Sequence, residues 1–521
     1  MSQPENDPTT SGLPDPARRR LLHAGAGMLV LPLLSSCGDN DRRRDSGSVD
    51  PTDPVDPTDP TDPTDPVDPT DPTDPGTPPA RKPPRGLHAS WTEDPHSTRT
   101  LTWFTDGGED PGSIIEYGPV IAGMTAADIA GTPLPQRAEG AAHATYGVDA
   151  LTHIATARGL DPALPLRYRV GSADGWSDIR VLPPVPGGKQ FRFCHFGDHA
   201  QNDASRAVLA GVAGRAPDFF WIAGDLSYAN GDQPLWDSYF DMLDPVTSRL
   251  PLMTCPGNHE NKDGGGDGYR TRFAQPGKGT YYGFDFNNVH FCVSTGGSLV
   301  TGVNSSVGDM IAELAALERD LLDAARRRAR GEIDFIVFVQ HYTIWTNNDG
   351  REPANFSLVV FVEHMLLRYD VDLVLVGHDH IYERSKPMAY GLPISSGYVQ
   401  VTQGGGGQHL YELIAKPAGW AAVSTVRHGF TEFTVDDRVI RATTYAVDDA
   451  DNVLLPDGGL EVIDTFEIKA RERGGLKDAL LTLGTAARLV STDNGFDFEA
   501  MMRHTIERNR LHDIEESGHG H

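Results

Sequence analysis

Five short apolar runs in this sequence each end in a residue that can hold a metal ion. Phe193-Cys194-His195-Phe196 runs into Gly197-Asp198, and Phe220-Trp221-Ile222-Ala223 into Gly224-Asp225-Leu226-Ser227-Tyr228. Met253-Thr254-Cys255-Pro256 leads to Gly257-Asn258-His259-Glu260, Phe338-Val339-Gln340 to His341, and Val374-Leu375-Val376 to Gly377-His378-Asp379-His380. In four of the five a glycine immediately precedes the metal-competent residue, which lets the backbone turn sharply against a site. Oxygen and nitrogen donors without thiolate suit hard or borderline metals, not copper(I) or an iron–sulfur cluster. A carboxylate can bridge two ions about 3.5–4 Å apart, an arrangement that promotes hydrolytic attack on phosphate esters. Tyr228 narrows the chemistry, because a phenolate near neutral pH requires a strongly acidic ion such as ferric iron. Taken singly, each motif also reads as a turn, and Tyr228 as a core tyrosine. It is their succession at strand ends that points to a metal centre.

Such residues need a rigid frame. The runs at 191–196, 219–223, 335–339 and 373–376 are nearly continuous apolar strands, which implies sheets covered on both faces. Ile311, Leu314, Leu317 and Leu321 recur at helical spacing and predict an amphipathic helix on a sheet. Residues 188–468 therefore read as an α/β domain, whose site gathers at the carboxyl ends of its strands. Residues 86–185 differ. Thr100-Leu101-Thr102-Trp103 and Leu166-Arg167-Tyr168-Arg169-Val170 alternate, with a turn at Gly159-Leu160-Asp161-Pro162, and predict an all-β sandwich. In a C-terminal extension, 469–521, the stretches 476–490 and 496–511 read as helices.

The chain has 521 residues, 45 basic against 73 acidic side chains and a net charge of −28, which excludes a general binder of nucleic acid or anionic membrane. Four cysteines are too few for a disulfide-stapled scaffold. Cys194, Cys255 and Cys292 lie in or beside apolar runs and read as buried core residues with at most one disulfide. From Asp50 to Asp74 an aspartate recurs at every third position, followed by proline. Proline at that density blocks helix and sheet, and like charges extend the chain, so 38–85 reads as a disordered, extended spacer. Ahead of it, Arg18-Arg19-Arg20-Leu21-Leu22 precedes an apolar run at 24–34 that is too short to span a bilayer. This resembles a twin-arginine export signal, and Leu34-Ser35-Ser36-Cys37 resembles a bacterial lipoprotein box with Cys37 as the lipidated new N-terminus. Residues 1–37 are thus expected to direct export to the periplasm or cell surface, with contact to the membrane through the lipid alone.

Gly-Asp, Gly-Asp-x-x-Tyr, Gly-Asn-His-Glu, a strand-end histidine and Gly-His-x-His, continued by Ile381-Tyr382-Glu383-Arg384-Ser385, resemble in this order the purple acid phosphatases within the calcineurin-like metallophosphoesterases. Tyr282-Gly283-Phe284-Asp285 and Arg427-His428-Gly429-Phe430 look like later strands of that family. The resemblance covers residues 86–467. It implies a fibronectin type III-like sandwich at 86–185 and, at 188–468, an α/β metallophosphoesterase sandwich of two mixed sheets flanked by helices. It further implies a binuclear centre, with ferric iron on Asp198, Asp225, Tyr228 and His380. A divalent ion (zinc, manganese or iron) would sit on Asp225, Asn258, His341 and His378, Asp225 bridging. A metal-bound or bridging hydroxide would then attack the phosphorus of a small phosphate monoester, with His259 as the substrate-side catalytic residue. The implied enzyme is an acid phosphatase, a phosphoric monoester hydrolase.

There are departures from the family pattern. Ala200 stands where the family usually has glycine, and Phe338 where it has valine. The stretch Thr346-Asn347-Asn348-Asp349-Gly350-Arg351 lacks the further histidines of plant-type members. Arg351 is the cation in that stretch available to bind phosphate, but it cannot give up a proton. Two other functions stay open: a phosphodiesterase or nucleotide pyrophosphatase on the same metal core, and a non-catalytic surface binding protein.

Overall fold

A computed structural model of the chain describes residues 83–277, 279–296 and 306–471. The export signal with Cys37, the spacer as far as residue 82 and the C-terminal helices beyond residue 471 lie outside the described residues.

Nine strands come first: β1 (Arg85–Ser90), β2 (Thr98–Asp106), β3 (Ile114–Pro119), β4 (Gln136–Glu139), β5 (Ala141–Ala144), β6 (Ala150–Arg158), β7 (Leu166–Ser172), β8 (Gly175–Trp176) and β9 (Arg180–Leu182). They form two antiparallel sheets, β1-β2-β6-β5 and β4-β3-β7-β8, with β9 also paired to β7. Leu101, Trp103, Ile115, Tyr168 and Val170 fill the space between them, so this is a β-sandwich. The alternation in β2 is correct for the inner face, yet its other face is buried too. Phe104 on that face packs with Phe240 and Leu243 of the second domain.

The second domain opens with β10 (Gln190–Phe196), β11 (Phe219–Ala223), β12 (Leu252–Cys255), β13 (Tyr282–Phe286), β14 (Val289–Val293), β15 (Phe335–Val339) and β16 (Leu373–Val376). It continues through β17 (Tyr382–Ser385), a hairpin of β18 (Met388–Ala389) and β19 (Leu392–Pro393), then β20 (Val399–Gln403) and β21 (Ala421–Thr425). The last strands are β22 (Gly429–Asp436), β23 (Val439–Ala446) and β24 (Glu461–Lys469). Two mixed sheets result, ordered β12-β11-β10-β22-β23-β24 and β13-β14-β15-β16-β20-β17-β21. Parallel pairing runs through β10, β11 and β12 in one sheet and through β14, β15, β16 and β20 in the other. Phe193, Trp221, Met253 and Phe433 of the first sheet meet Phe291, Val337, Leu375 and Val401 of the second.

Helices cover both outer faces, as nearly continuous apolar strands require. The helices α1 (Asp203–Arg215) and α2 (Pro234–Thr247) lie on the first sheet, and α3 (Val307–Arg330) on the second. Asn202 caps α1 by accepting from the Ser205 amide (2.9 Å). The helix α3 spans the apolar repeat read from the sequence, but its buried stripe is Met310, Leu317, Leu321 and Ala324. Ile311 lies one residue, about 100°, round from Met310 and is exposed. Cys194, Cys255 and Cys292 are buried and all three are free. Among the described residues no helix is long and apolar enough to cross a membrane.

Candidate metal centre

The carboxyl ends of β10, β11 and β12 in one sheet and of β15 and β16 in the other converge on one site. The bends after these strands are tight. Asp198, Asp225, Tyr228 and His378 all take positive φ (59°, 52°, 55° and 69°), a region that costs an ordinary residue about 1–2 kcal/mol and clusters at functional sites. The preceding glycines allow close approach. A Cβ on Gly224, itself at φ +83°, would lie 2.5 Å from His341 Nδ1, and one on Gly377 would lie 2.5 Å from Asp198 Oδ2.

The donor atoms fall into two groups. In the first, His341 Nε2 is 3.1 Å from Asp225 Oδ2, 3.2 Å from Asn258 Oδ1 and 3.2 Å from His378 Nδ1. In the second, Tyr228 Oη, His380 Nε2 and Asp198 Oδ1 form a triangle with sides of 3.1, 3.2 and 3.3 Å. Ligands about 2.1 Å from a common ion stand about 3.0–3.4 Å apart, so both groups have the dimensions of one coordination shell. They adjoin, with His341 Nε2 4.0 Å from Asp198 Oδ1. The tautomers suit ligation as well. His341 Nδ1 is held at 2.7 Å by the Ala223 carbonyl and His380 Nδ1 at 2.6 Å by the His409 carbonyl, which leaves Nε2 of each ring for the site. The structure thus brings together all seven residues expected as ligands: Asp198, Asp225, Tyr228, Asn258, His341, His378 and His380. Their donor set fits a pair of hard or borderline ions.

Electrostatics agree. Burial opposes charge on His341, but the Asp225 and Asp198 carboxylates push its pKa up. Burial likewise opposes ionisation of Asp225, and His341 and His259 hold it well below the carboxylate range. Asp198 is raised by burial, with His341 and His380 working against the rise. Two buried carboxylates side by side are a site that cations stabilise.

His259, beside Asn258, has its Nδ1 2.7 Å from Asn230 Oδ1 and its ring 4.2 Å from that of Tyr228. Arg351, read from the sequence as a cation for phosphate, meets a carboxylate of the His378-Asp379-His380 stretch. Its side chain, 13% exposed, pairs with Asp379 and donates to the His378 carbonyl (3.3 Å). His199, which precedes Ala200, is a core residue between Tyr239 Oη and the Ser205 carbonyl (both 3.0 Å).

Several supporting residues were not singled out from the sequence. Glu260, the last residue of Gly-Asn-His-Glu, accepts from the amides of Asp225 (2.8 Å), Leu226 (2.9 Å) and Gly257 (2.7 Å), tying two ligand loops together. Burial, then the Asp225 charge, pushes its pKa up to about 7. Asn230 orients His259, and Asp379 anchors the loop after β15. The run Gly404-Gly405-Gly406-Gly407, directly after β20, threads beneath Asp198, and the Gln408 amide donates to the Asp198 carbonyl (3.1 Å). Four glycines at a strand end were the available signal.

Comparison with known proteins accords with this geometry. The calcineurin-like phosphoesterase family model matches residues 191–382, which include every residue of both donor groups. The model of the purple acid phosphatase N-terminal domain matches residues 84–182. The chain is a calcineurin-like phosphoesterase in its second domain. With the matched N-terminal domain ahead of it, the two spanning more than half of the sequence, it belongs to the purple acid phosphatases. It is 27% identical over 414 residues to mouse "Acid phosphatase type 7", covering 72% of this chain and 90% of that protein. It is 29% identical over 260 residues to Arabidopsis thaliana "Purple acid phosphatase 21", covering 48% of this chain and 56% of the relative. A purple acid phosphatase from yellow lupin seeds shares the fold, with a TM-score of 0.60 and 19% identity, over 80% of this chain and 78% of that one.

Proposed function

We propose that this chain is an exported, metal-dependent acid phosphatase that hydrolyses small phosphate monoesters at a binuclear centre. The observation that carries the reading is the pair of adjoining donor groups, each with the span of one coordination shell. We assign ferric iron to Asp198, Asp225, Tyr228 and His380, and zinc, manganese or iron(II) to Asp225, Asn258, His341 and His378. When bound, such ions lower the pKa of water and neutralise charge developing on phosphorus. Asp225 holds the two groups together, its Oδ1 fixed at 2.9 Å by the His259 amide while Oδ2 faces His341. His259, steadied by Asn230, turns Nε2 to the substrate side, where it hydrogen-bonds phosphate and passes a proton to the departing alkoxide. Since the bound ions would supply the activated water, the chain needs no serine or cysteine to be phosphorylated.

The N-terminal sandwich is read as fibronectin type III-like, a reading supported by its two antiparallel sheets. Residues 1–37 are read as a twin-arginine and lipoprotein signal, with Cys37 anchoring the mature chain to a bacterial membrane. The names of the acid phosphatase relatives and the residues of the two donor groups support the enzymatic reading.

Hydrolysis of p-nitrophenyl phosphate beside bis-p-nitrophenyl phosphate, from acid to neutral pH, tests this function. Faster turnover of the monoester is expected. Preference for the diester would reassign the chain as a phosphodiesterase, and silence on both with metal bound would make it a binding protein.

A further inference from the structure

We propose that the Arg351–Asp379 ion pair determines how firmly the centre retains its metal ions, as a positioning pair for His378 and His380. The inference rests on the metal-centre reading above. Asp379 lies between these two histidines in sequence and is wholly buried. It accepts from Thr343 Oγ1 (2.7 Å) and Asn348 Nδ2 (2.9 Å) and pairs with the Arg351 guanidinium. Arg351 in turn donates to the His378 carbonyl (3.3 Å) and lies over the ring of Tyr411, 5.7 Å from its centroid. That ring is stacked on His380, with centroids 4.1 Å apart and planes 12° from parallel. One ion pair therefore bears on both histidine ligands, on His378 through its backbone and on His380 through Tyr411.

The segment needs such a constraint. No regular element holds it: the Asp379 amide donates to the Gly377 carbonyl (2.9 Å) and the Ile381 amide to the Asp379 carbonyl (2.7 Å), while His378 sits at φ 69°. A histidine in the left-handed region persists only where its surroundings over-determine it. The two hydrogen-bond donors and the Arg351 charge converging on Asp379 supply that, and they come from the loop that follows His341. Groups that orient ligands from behind alter metal affinity about 10–100-fold, and removing one member of a buried pair leaves the other charge uncompensated.

The test uses the full metal-loaded protein and follows metal loss to excess chelator by elemental analysis. Asp379→Asn and Arg351→Gln should each speed loss about 10–100-fold. The double variant should recover part of that, since neither charge is then left buried alone. Arg351→Lys, which keeps the charge but not the planar fork, should fold and lose metal at an intermediate rate. As a control, Glu363→Gln should lower thermal stability without faster metal loss. Glu363 holds the same loop elsewhere, through Trp345 Nε1 (3.1 Å). Wild-type rates of metal loss in Asp379→Asn and Arg351→Lys, with lowered thermal stability, would show the pair to be structural only and overturn the proposal. A wild-type protein that retains no metal would overturn the metal-centre reading itself.

Discussion

His259 and Ala200 show what single side chains contribute once the ligands are in place. His259 packs against Tyr228 without belonging to either donor group. Its replacement by alanine should lower kcat/KM about a hundredfold or more with metal content unchanged, a result checked by steady-state kinetics beside elemental analysis. Ala200 adopts φ 58°, a conformation that costs alanine about 1–2 kcal/mol and glycine little. Allowing for about 0.5–1 kcal/mol of extra chain entropy in glycine, Ala200→Gly should stabilise the fold by up to about 1 kcal/mol, read by denaturant unfolding. The seven residues of the two donor groups were legible in the sequence because strand-end Gly-Asp and Gly-His place a donor at a predictable point of the chain. The Arg351–Asp379 pairing was not, because its members lie 28 residues apart, and only tertiary structure sets which buried carboxylate claims an arginine.

Among the elements, α3 is docked on its sheet by charge as well as by its apolar stripe. His290 on β14 lies between Asp285 Oδ1 (2.7 Å) on β13 and Asp320 Oδ2 (2.9 Å) on α3, and Arg327 of α3 also pairs with Asp285. Burial would lower the His290 pKa, yet the two aspartates raise it to about 9. A histidine whose folded pKa is raised contributes stability that is complete below its unfolded value of about 6.5 and lost as pH rises through the folded one. Unfolding free energy should therefore fall between about pH 6.5 and 9, with a shallower fall in His290→Asn, as followed by urea titration at stepped pH. The α/β character of this domain was legible because its central strands are apolar throughout. The rotation of α3 was less so: Met310 and Ile311 are both apolar, and only contact with β14 and β15 selects between them.

At the scale of the whole molecule, the sandwich is built into the second domain. Trp91, which follows β1, is 1% exposed and packs against Phe219 and Phe286 between the two large sheets. The Leu87 amide donates to Asp244 Oδ2 (2.8 Å), Ser90 Oγ to the Ala274 carbonyl (2.6 Å) and Tyr168 Oη to the Ser248 carbonyl (2.6 Å). Trp91→Ala should cost about 3–5 kcal/mol, and calorimetry of the wild type should show one cooperative transition for both domains. This dependence was hidden in the sequence, where the alternation in β2 gives no sign that the second domain covers Phe104. The most direct measurement of the binuclear centre is the metal content and visible absorption of the purified protein beside Tyr228→Phe. Two ions per chain, one of them iron, and a tyrosinate-to-iron band that disappears in the variant are expected. A single ion, or a band unchanged without the Tyr228 hydroxyl, would contradict a binuclear centre built on these seven residues.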